Sequence, residues 1–388
     1  MTDAVLIDAL ADDVAVDRPE LWHVRADGIA GPNGRVVVFV AEDGEDVTKA
    51  VEHVSRRFAS LGGDMLGIDS QCGVRTQSGM TVTGSEPPGE AASTTEGDEP
   101  AQRLRLCGVV VLTRTDDGPT SPNARRLTID HALPALIAQS SQLRSMRAPL
   151  RGIASLLEAI GGVVGVASGD LVAIDEEVDA LMRARPPHRV PGHVAPVDRV
   201  AAAEVDRQGA RLFRAATLDA IALSGDRIAV LRKQGDGEEL RILGASAAAV
   251  WRAAGGLSLA DVVDAVDSMQ GPSRDDVADR SPTEVATDLL AQGLLADHPS
   301  WAISDGAAWT SAHGRTTVVD LWAARSRLLV LEGSAHWVWV ILAERSPLSE
   351  EELIRECARL FQVSEDTVAE DVVGLLAQLR LEGLLDLL

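Results

Sequence analysis

The feature that most constrains this chain is a repeat. The stretches "RILGASAAAVWRAA" (241–254) and "LVLEGSAHWVWVIL" (329–342) align at a constant offset of 88 residues. At that offset Leu243 matches Leu331, Ser246 matches Ser334, Ala247 matches Ala335, Val250 matches Val338 and Trp251 matches Trp339. Two further pairs of segments follow in the same order. "LSLADVVDAV" (257–266) and "LSEEELIREC" (348–357) each place a serine before an acidic first turn, a favourable helix start. "EVATDLLAQGLL" (284–295) and "EDVVGLLAQLRLEGLL" (370–385) are amphipathic helices that run into a glycine, Gly293 or Gly383, suited to a left-handed C-cap. Self-similarity of this kind means that one supersecondary unit is built twice.

Short alternating or apolar runs precede each set of helices. They are "TLDAIAL", "DRIAVLRK" and "ELRIL" in the first copy, and "TTVVDLW" and "RLLVL", with "WAIS" before them, in the second. Each unit therefore reads β-β-β-α-α-α, the outline of a winged helix-turn-helix. The copies differ at their last helix. Val368 to Arg380 is an uninterrupted helical pattern, whereas the first copy carries Pro282 in the matching region. Proline inside a helix costs about 3 kcal/mol. The last helix of the first copy is thus expected to be short, capped by Ser281 with Pro282 at its first position.

Composition sets further bounds. Lys plus Arg number 36 against 59 Asp plus Glu, a net charge of −23, which repels nucleic-acid phosphate and anionic membrane surfaces. Cys72, Cys107 and Cys357 are far apart and odd in number, which argues against a disulfide framework and for a reducing compartment. The acidic N-terminus lacks the basic region of a secretory signal, and no apolar run approaches the ~20 residues of a membrane span. A cytoplasmic, soluble chain is expected, with no membrane and no nucleic acid as partner.

Composition shifts divide the chain. Residues 84–101, "GSEPPGEAASTTEGDEPA", read as a disordered loop, and "RPPHRVPGHVAPVDR" (185–199) reads as a linker. The expected domains are residues 1–186, with a linker at 187–204, then a first repeat at 205–298 and a second at 299–388. Within the first domain, "FVAEDGEDVTKAVEHV" (39–54) has the strand, glycine loop and helix of a phosphate cradle. The pattern G-x-x-x-x-G-K-[ST] is not met: Ala41 and Asp46 replace the glycines and Val47 replaces the lysine, with only Thr48 as required. Glu42, Asp43, Glu45 and Asp46 put negative charge where phosphate would sit, and Lys49 follows one residue late. His188 and His193 fall in the proline-rich linker and lack the partners of a metal site. Asp64 and Asp69 read as surface acids without the cradle lysine. His336 reads as structural or surface-facing. Trp251, Trp339 and the repeat leucines read as core.

The repeats resemble PqqD-like recognition elements, small domains that bind leader peptides of ribosomally made, post-translationally modified peptides (RiPPs). The resemblance lies in Leu243 with Val250-Trp251, Leu331 with Val338-Trp339, and the endings Gly293-Leu294-Leu295 and Gly383-Leu384-Leu385. Gly244 and Glu332 depart from the family's asparagine. The resemblance implies a leader peptide lying between the third strand and third helix: Leu240, Arg241, Ile242 and Leu243 with Val285 and Leu289 in the first copy, and Leu328, Leu329, Val330 and Leu331 with Thr367, Val368 and Asp371 in the second. An extended peptide adding to an exposed strand edge gains backbone hydrogen bonds while its side chains enter the neighbouring groove.

The first domain, from residue 20 to 180, resembles HPr kinase-like proteins through "GIAGPNGRVVVFVAEDGEDVTKAVEHVSRRF", "GGDMLGID" (62–69) and "LCGVVVLTR" (106–114) followed by the helical stretch 128–160. The expected fold class is α/β plus α+β, a degenerate P-loop domain followed by two winged helix-turn-helix domains. The expected function is non-catalytic. The chain would bind a precursor and deliver it to a separate modifying enzyme, with daptide-type clusters as one home, and without cofactor or metal. The rival readings are a kinase-like or nucleotide-binding enzyme with an atypical P-loop, and a winged-helix DNA-binding regulator.

Overall fold

The computed structural model describes residues 21–42, 47–61, 65–76, 104–113, 124–146, 148–184, 211–235, 237–270, 280–304, 306–321, 323 and 327–387. The loop at 84–101, the linker at 187–204 with His188 and His193, residues 43–46 of the acidic loop, and Asp64 lie outside the described residues. The chain forms two compact units, Met1–Ala195 and Pro196–Leu388.

The first unit contains strands β1 (Trp22–Arg25), β2 (Asp27–Ala30) and β3 (Arg35–Ala41), then helix α1 (Thr48–Val54) and strands β4 (Ala59–Ser60), β5 (Met65–Ile68), β6 (Val74–Thr76), β7 (Arg105–Thr113) and β8 (Ala124–Leu127). Helix α2 (Ile129–Ala138), β9 (Ser140–Ser141), α3 (Pro149–Ala159), β10 (Val163–Ala167) and α4 (Leu171–Arg183) complete it. Six strands form one sheet in the order β4-β2-β3-β7-β10-β8, with β3, β7 and β10 parallel at its centre. A parallel sheet covered on both faces selects continuous apolar runs, and Val36 to Val40 are all fully buried. Helices α1 and α4 cover the side of Val37 and Phe39. They are joined at the surface by Arg57, which donates to Asp175 at 2.9 Å and Asp179 at 3.1 Å. A separate four-stranded sheet runs β6-β5-β1-β9. The helical stretch expected at 128–160 is two helices separated by β9 and a 3-10 turn at Leu143–Ser145.

The second unit repeats one order of elements. The first copy has β11 (Arg211–Arg214), β12 (Asp219–Ala222), β13 (Ile228–Gln234), β14 (Gly237–Leu243), α5 (Ala245–Ala253), β15 (Gly255–Ser258), α6 (Leu259–Gln270), α7 (Pro282–Ala291) and β16 (Leu295–Ala296). The second has β17 (Ser300–Ile303), β18 (Ala307–Ala312), β19 (Arg315–Asp320), β20 (Leu329–Glu332), α8 (Ser334–Arg345), β21 (Leu348–Ser349), α9 (Glu350–Phe361), α10 (Glu365–Leu381) and β22 (Leu385–Leu387). Each copy holds two three-stranded sheets, β12-β13-β14 with β15-β11-β16, and β18-β19-β20 with β21-β17-β22. The β-β-β-α-α-α outline therefore omits the sheet that closes the ends of each copy. Segments such as "LA" and "LS" are too short to show an alternation, and they are strands only because a distant strand pairs with them.

Helix ends follow local chemistry. Ser281 and Glu284 form a reciprocal capping box with Pro282 at the first position of α7, and Ser349 and Glu352 do the same for α9. At the other end Gly293 and Gly383 adopt φ of +66° and +73°. Leu294 then donates its N–H to Leu289 at 2.8 Å, and Leu384 to Leu379 at 3.0 Å. These four leucines are buried, so each turn closes a helix and anchors it in its core. Trp251 and Trp339 are at the centre of their respective cores.

The first helices explain a difference in packing. Helix α5 carries Ala248, Ala249, Ala253 and Ala254 around its C-terminal half where the second copy has His336, Trp337, Ile341 and Leu342. Small residues permit close approach, and α7 lies tightly against α5 as well as α6. The bulkier α8 leaves α10 packed chiefly along α9.

Candidate peptide-docking edges

In each copy the third strand of the first sheet is an outer strand, paired on one side with β13 or β19. An outer strand presents backbone donors and acceptors that can accept another strand. The first copy adds a groove of about 520 Å³ between the end of β14, the first turn of α5 and α7. Ile242, Leu243, Val285 and Leu289 all line it. Leu240 and Arg241 lie further along β14 and do not. Sequence reasoning missed Gly244 and the first turn of α5 (Ala245 to Ala247) together with Arg280, Asp288 and Gln292, which complete the lining. The helical spacing of Val285, Asp288, Leu289 and Gln292 was available as a signal for that side of α7.

The far end of this edge is ionic. Glu239 bridges Arg232 and Arg241, with Arg232 Nε donating at 2.7 Å. Burial of Glu239 favours its neutral form, but the two guanidiniums outweigh this and hold its pKa below the ordinary carboxylate value. Arg232 also donates to the carbonyl of Gly293 at 2.9 Å, placing a cation at the negative end of α7.

The second copy presents an apolar edge. Leu331 is buried and Leu329 half-buried, pointing towards the core, while Leu328 and Val330 on the alternate side are 68% and 57% exposed. Thr367 and Asp371 are exposed on α10, and Val368 packs on the edge of the core. With the copies aligned on Gly293 and Gly383, Leu375 and Leu379 stand where Val285 and Leu289 do. Helix α10 starts at Glu365 and α7 at the position equivalent to 372, so Thr367, Val368 and Asp371 lie on two extra turns that α7 lacks. Asp320 occupies the place of Arg232, so close to the end of α10 that a Cβ on Gly383 would lie 2.7 Å from its carboxylate.

The core behind this edge is partly polar. Thr316 is fully buried and hydrogen-bonds His336 Nδ1 at 2.7 Å and Ser311 Oγ at 2.8 Å. The equivalent positions of Thr316 and His336 in the first copy are Ile228 and Ala248. His336 is therefore a buried structural residue, not a surface one. Trp309 meets Trp339 edge-on, with ring centroids 5.8 Å apart.

The first unit offers less. In the described part of the acidic loop, Val47 is half-buried at the position of a cradle lysine, and Thr48 and Lys49 are exposed. Asp69 accepts the backbone N–H groups of Gln71 at 2.9 Å and Gly73 at 2.7 Å, so its carboxylate closes a turn. Cys72, Cys107 and Cys357 are buried free thiols, and burial next to Glu356 pushes Cys357 up to about 11. Among the described residues no group of three or more His, Cys, Asp or Glu is placed to hold a metal ion, and no helix is long and apolar enough to cross a membrane.

No curated protein and no solved structure matches the chain. Residues 309–385, from β18 through the first residue of β22, match the family described as Coenzyme PQQ synthesis protein D (PqqD), and the second copy thus carries a PqqD domain with the apolar edge of β20 inside it.

Proposed function

We propose that this chain is a non-catalytic recognition protein that binds the leader of a RiPP precursor and delivers the precursor to a separate modifying enzyme. The observation that carries this reading is the coincidence of the PqqD match with the outer strand β20, where Val330 and the preceding Leu328 are exposed. A leader strand laid along β20 exchanges backbone hydrogen bonds with it and covers apolar surface that otherwise faces water. The first copy is a second winged-helix recognition element with its own groove. Tethering the leader makes the encounter of core peptide and enzyme intramolecular, at up to millimolar effective concentration for a short flexible connection. The first unit, an HPr kinase-like fold without the phosphate-binding lysine, serves as scaffold for the enzyme.

The test is fluorescence polarisation of full-length protein with a labelled leader from the precursor gene adjacent to its own. Binding at micromolar Kd or tighter, about −8 kcal/mol, is expected. It should weaken at least tenfold in Val330→Asp or in Ile242→Asp, whichever copy is used. Absence of binding, or binding indifferent to both variants, overturns the proposal.

A further inference from the structure

The sheets β12-β13-β14 and β18-β19-β20 differ in what covers their outer faces. Strand alternation gives β18-β19-β20 an inner face, where Val318 and Leu331 join the core, and an outer face. The cross-strand register sets Ala308 beside Val319, and Thr310 beside Thr317 and Val330, on that outer face. Leu321 extends it, since its N–H donates to the carbonyl of Gly306 at 2.8 Å and continues the β18-β19 register by one residue. Leu321, Leu328 and Val330 are 61%, 68% and 57% exposed. Among the described residues the charges on this face are Arg315 and Glu332, which hold each other at its margin at 2.9 Å. The corresponding face of the first copy carries Ile221, Ala229 and Leu231 with Asp219, and all four are buried. The three apolar ones lie outside the helical core of that copy, so its sheet is covered on both faces. The same sheet is thus closed over in one copy and open in the other.

We propose that the open face docks a second copy of this chain, with two β18-β19-β20 sheets packed face to face about a two-fold axis, ~10 Å apart. Contiguous exposed apolar surface marks a contact, and charge names the occupant. Each chain carries a net charge of −23, so two copies repel unless they meet at a surface without net charge. Arg315 and Glu332 cancel, which makes this face such a surface and leaves it no charge with which to steer a charged partner. A two-fold contact sets Leu321, Leu328 and Val330 of one chain against the same patch of the other. The first copy's equivalent face is buried, so each chain offers the face once and the pair closes instead of growing. Face packing leaves the outer edge of β20 open, so the inference stands apart from peptide recognition.

The experiment is sedimentation velocity of the full chain from about 1 to 100 µM, the range in which a small interface is populated. The mass should rise from one chain to two. Association should strengthen as salt is added, because screening weakens the repulsion between two acidic chains. Leu321→Asp should weaken the dimer at least tenfold, and Thr310→Glu, which alters no apolar residue, should do the same. Both positions are exposed, so the circular dichroism of each variant should match the parent. Leu381→Asp, at an 89% exposed leucine at the end of α10, should leave the dimer unchanged. A single chain at every concentration and salt, association that weakens with salt, assemblies larger than two, or a dimer indifferent to Leu321→Asp and Thr310→Glu overturns the proposal. So does equal weakening by Leu381→Asp. Leu321 is on the central strand, away from the β20 edge, so leader binding by Leu321→Asp reads the recognition proposal separately from the dimer.

Discussion

The two copies in the second unit share an order of nine elements, yet they solve the same edge differently. In the first copy Arg232 ties the end of α7 to the sheet, and Glu239 ties Arg232 to Arg241. In the second copy Asp320 stands in place of that arginine, and the strand beside it is Leu-Leu-Val-Leu. The core differs as well: Ile228 and Ala248 are apolar where Thr316 and His336 share a hydrogen bond. What both keep is Leu243 or Leu331, the tryptophan, and the Gly-Leu-Leu ending. The fold is therefore held by a few apolar and left-handed positions, and the charges around the groove have been free to diverge. The first copy ties its edge to α7 through Arg232, while the second pairs Glu332 of its edge strand with Arg315 and leaves Leu328 and Val330 exposed.

The largest effect that can break this comparison is loss of the core indole. Trp339→Ala and Trp251→Ala should each cost about 3–5 kcal/mol, because both side chains are almost completely buried. Hydrogen exchange of the full chain reads the two copies separately. Each substitution should deprotect its own copy; equal deprotection of both would show that they unfold as one cooperative unit. A smaller effect distinguishes the helix endings. Alanine at Gly293 or Gly383 forces a left-handed residue, at about 1–2 kcal/mol. Gly383→Ala should cost more than Gly293→Ala, because its Cβ meets the Asp320 carboxylate at 2.7 Å whereas the other meets the flexible Arg232 at 3.1 Å. The same exchange experiment, or a melting curve, ranks the two.

Much of this architecture is legible in the sequence, where the cause is local. Ser281-Pro282 with Glu284 specifies a helix start, Gly293 and Gly383 specify helix stops, and Val36 to Val40 specifies a strand buried on both faces. What escapes is set by distance. Strands β15, β16, β21 and β22 exist through partners far along the chain. Arg232 reaches Gly293 across 61 residues. Whether His336 is structural or surface-facing is settled only when Thr316 is placed beside it. The counterparts of Val285 and Leu289 are equally hidden, because α10 begins two turns earlier than α7 and only counting back from the shared glycine gives Leu375 and Leu379.

The subtlest contrast concerns the ionic end of each edge. Arg232→Ala leaves Glu239 without its main partner and removes the cation from the end of α7, a loss of about 1–3 kcal/mol. Asp320 has an interaction of its own within the chain, so Asp320→Asn should cost up to about 1 kcal/mol, less than Arg232→Ala. A loss as large as that of Arg232→Ala would show that the second copy depends on its edge charge as much as the first does. Acid adds a second reading of the same contrast. Because Glu239 is held below its ordinary value of 4.5, its contribution is fully present above that pH and is lost as pH falls through the lower folded value. The second copy has Arg327 at that position. Its carboxylate held low by two arginines is Glu356, beside Arg359 and Arg345 on α9 rather than at the edge. Hydrogen exchange corrected for intrinsic rates should therefore show β14 losing protection below pH 4.5 ahead of β20, and Arg232→Ala should flatten that dependence. Parallel loss at β14 and β20 would mean that the ion pairs of the first copy do not hold its edge.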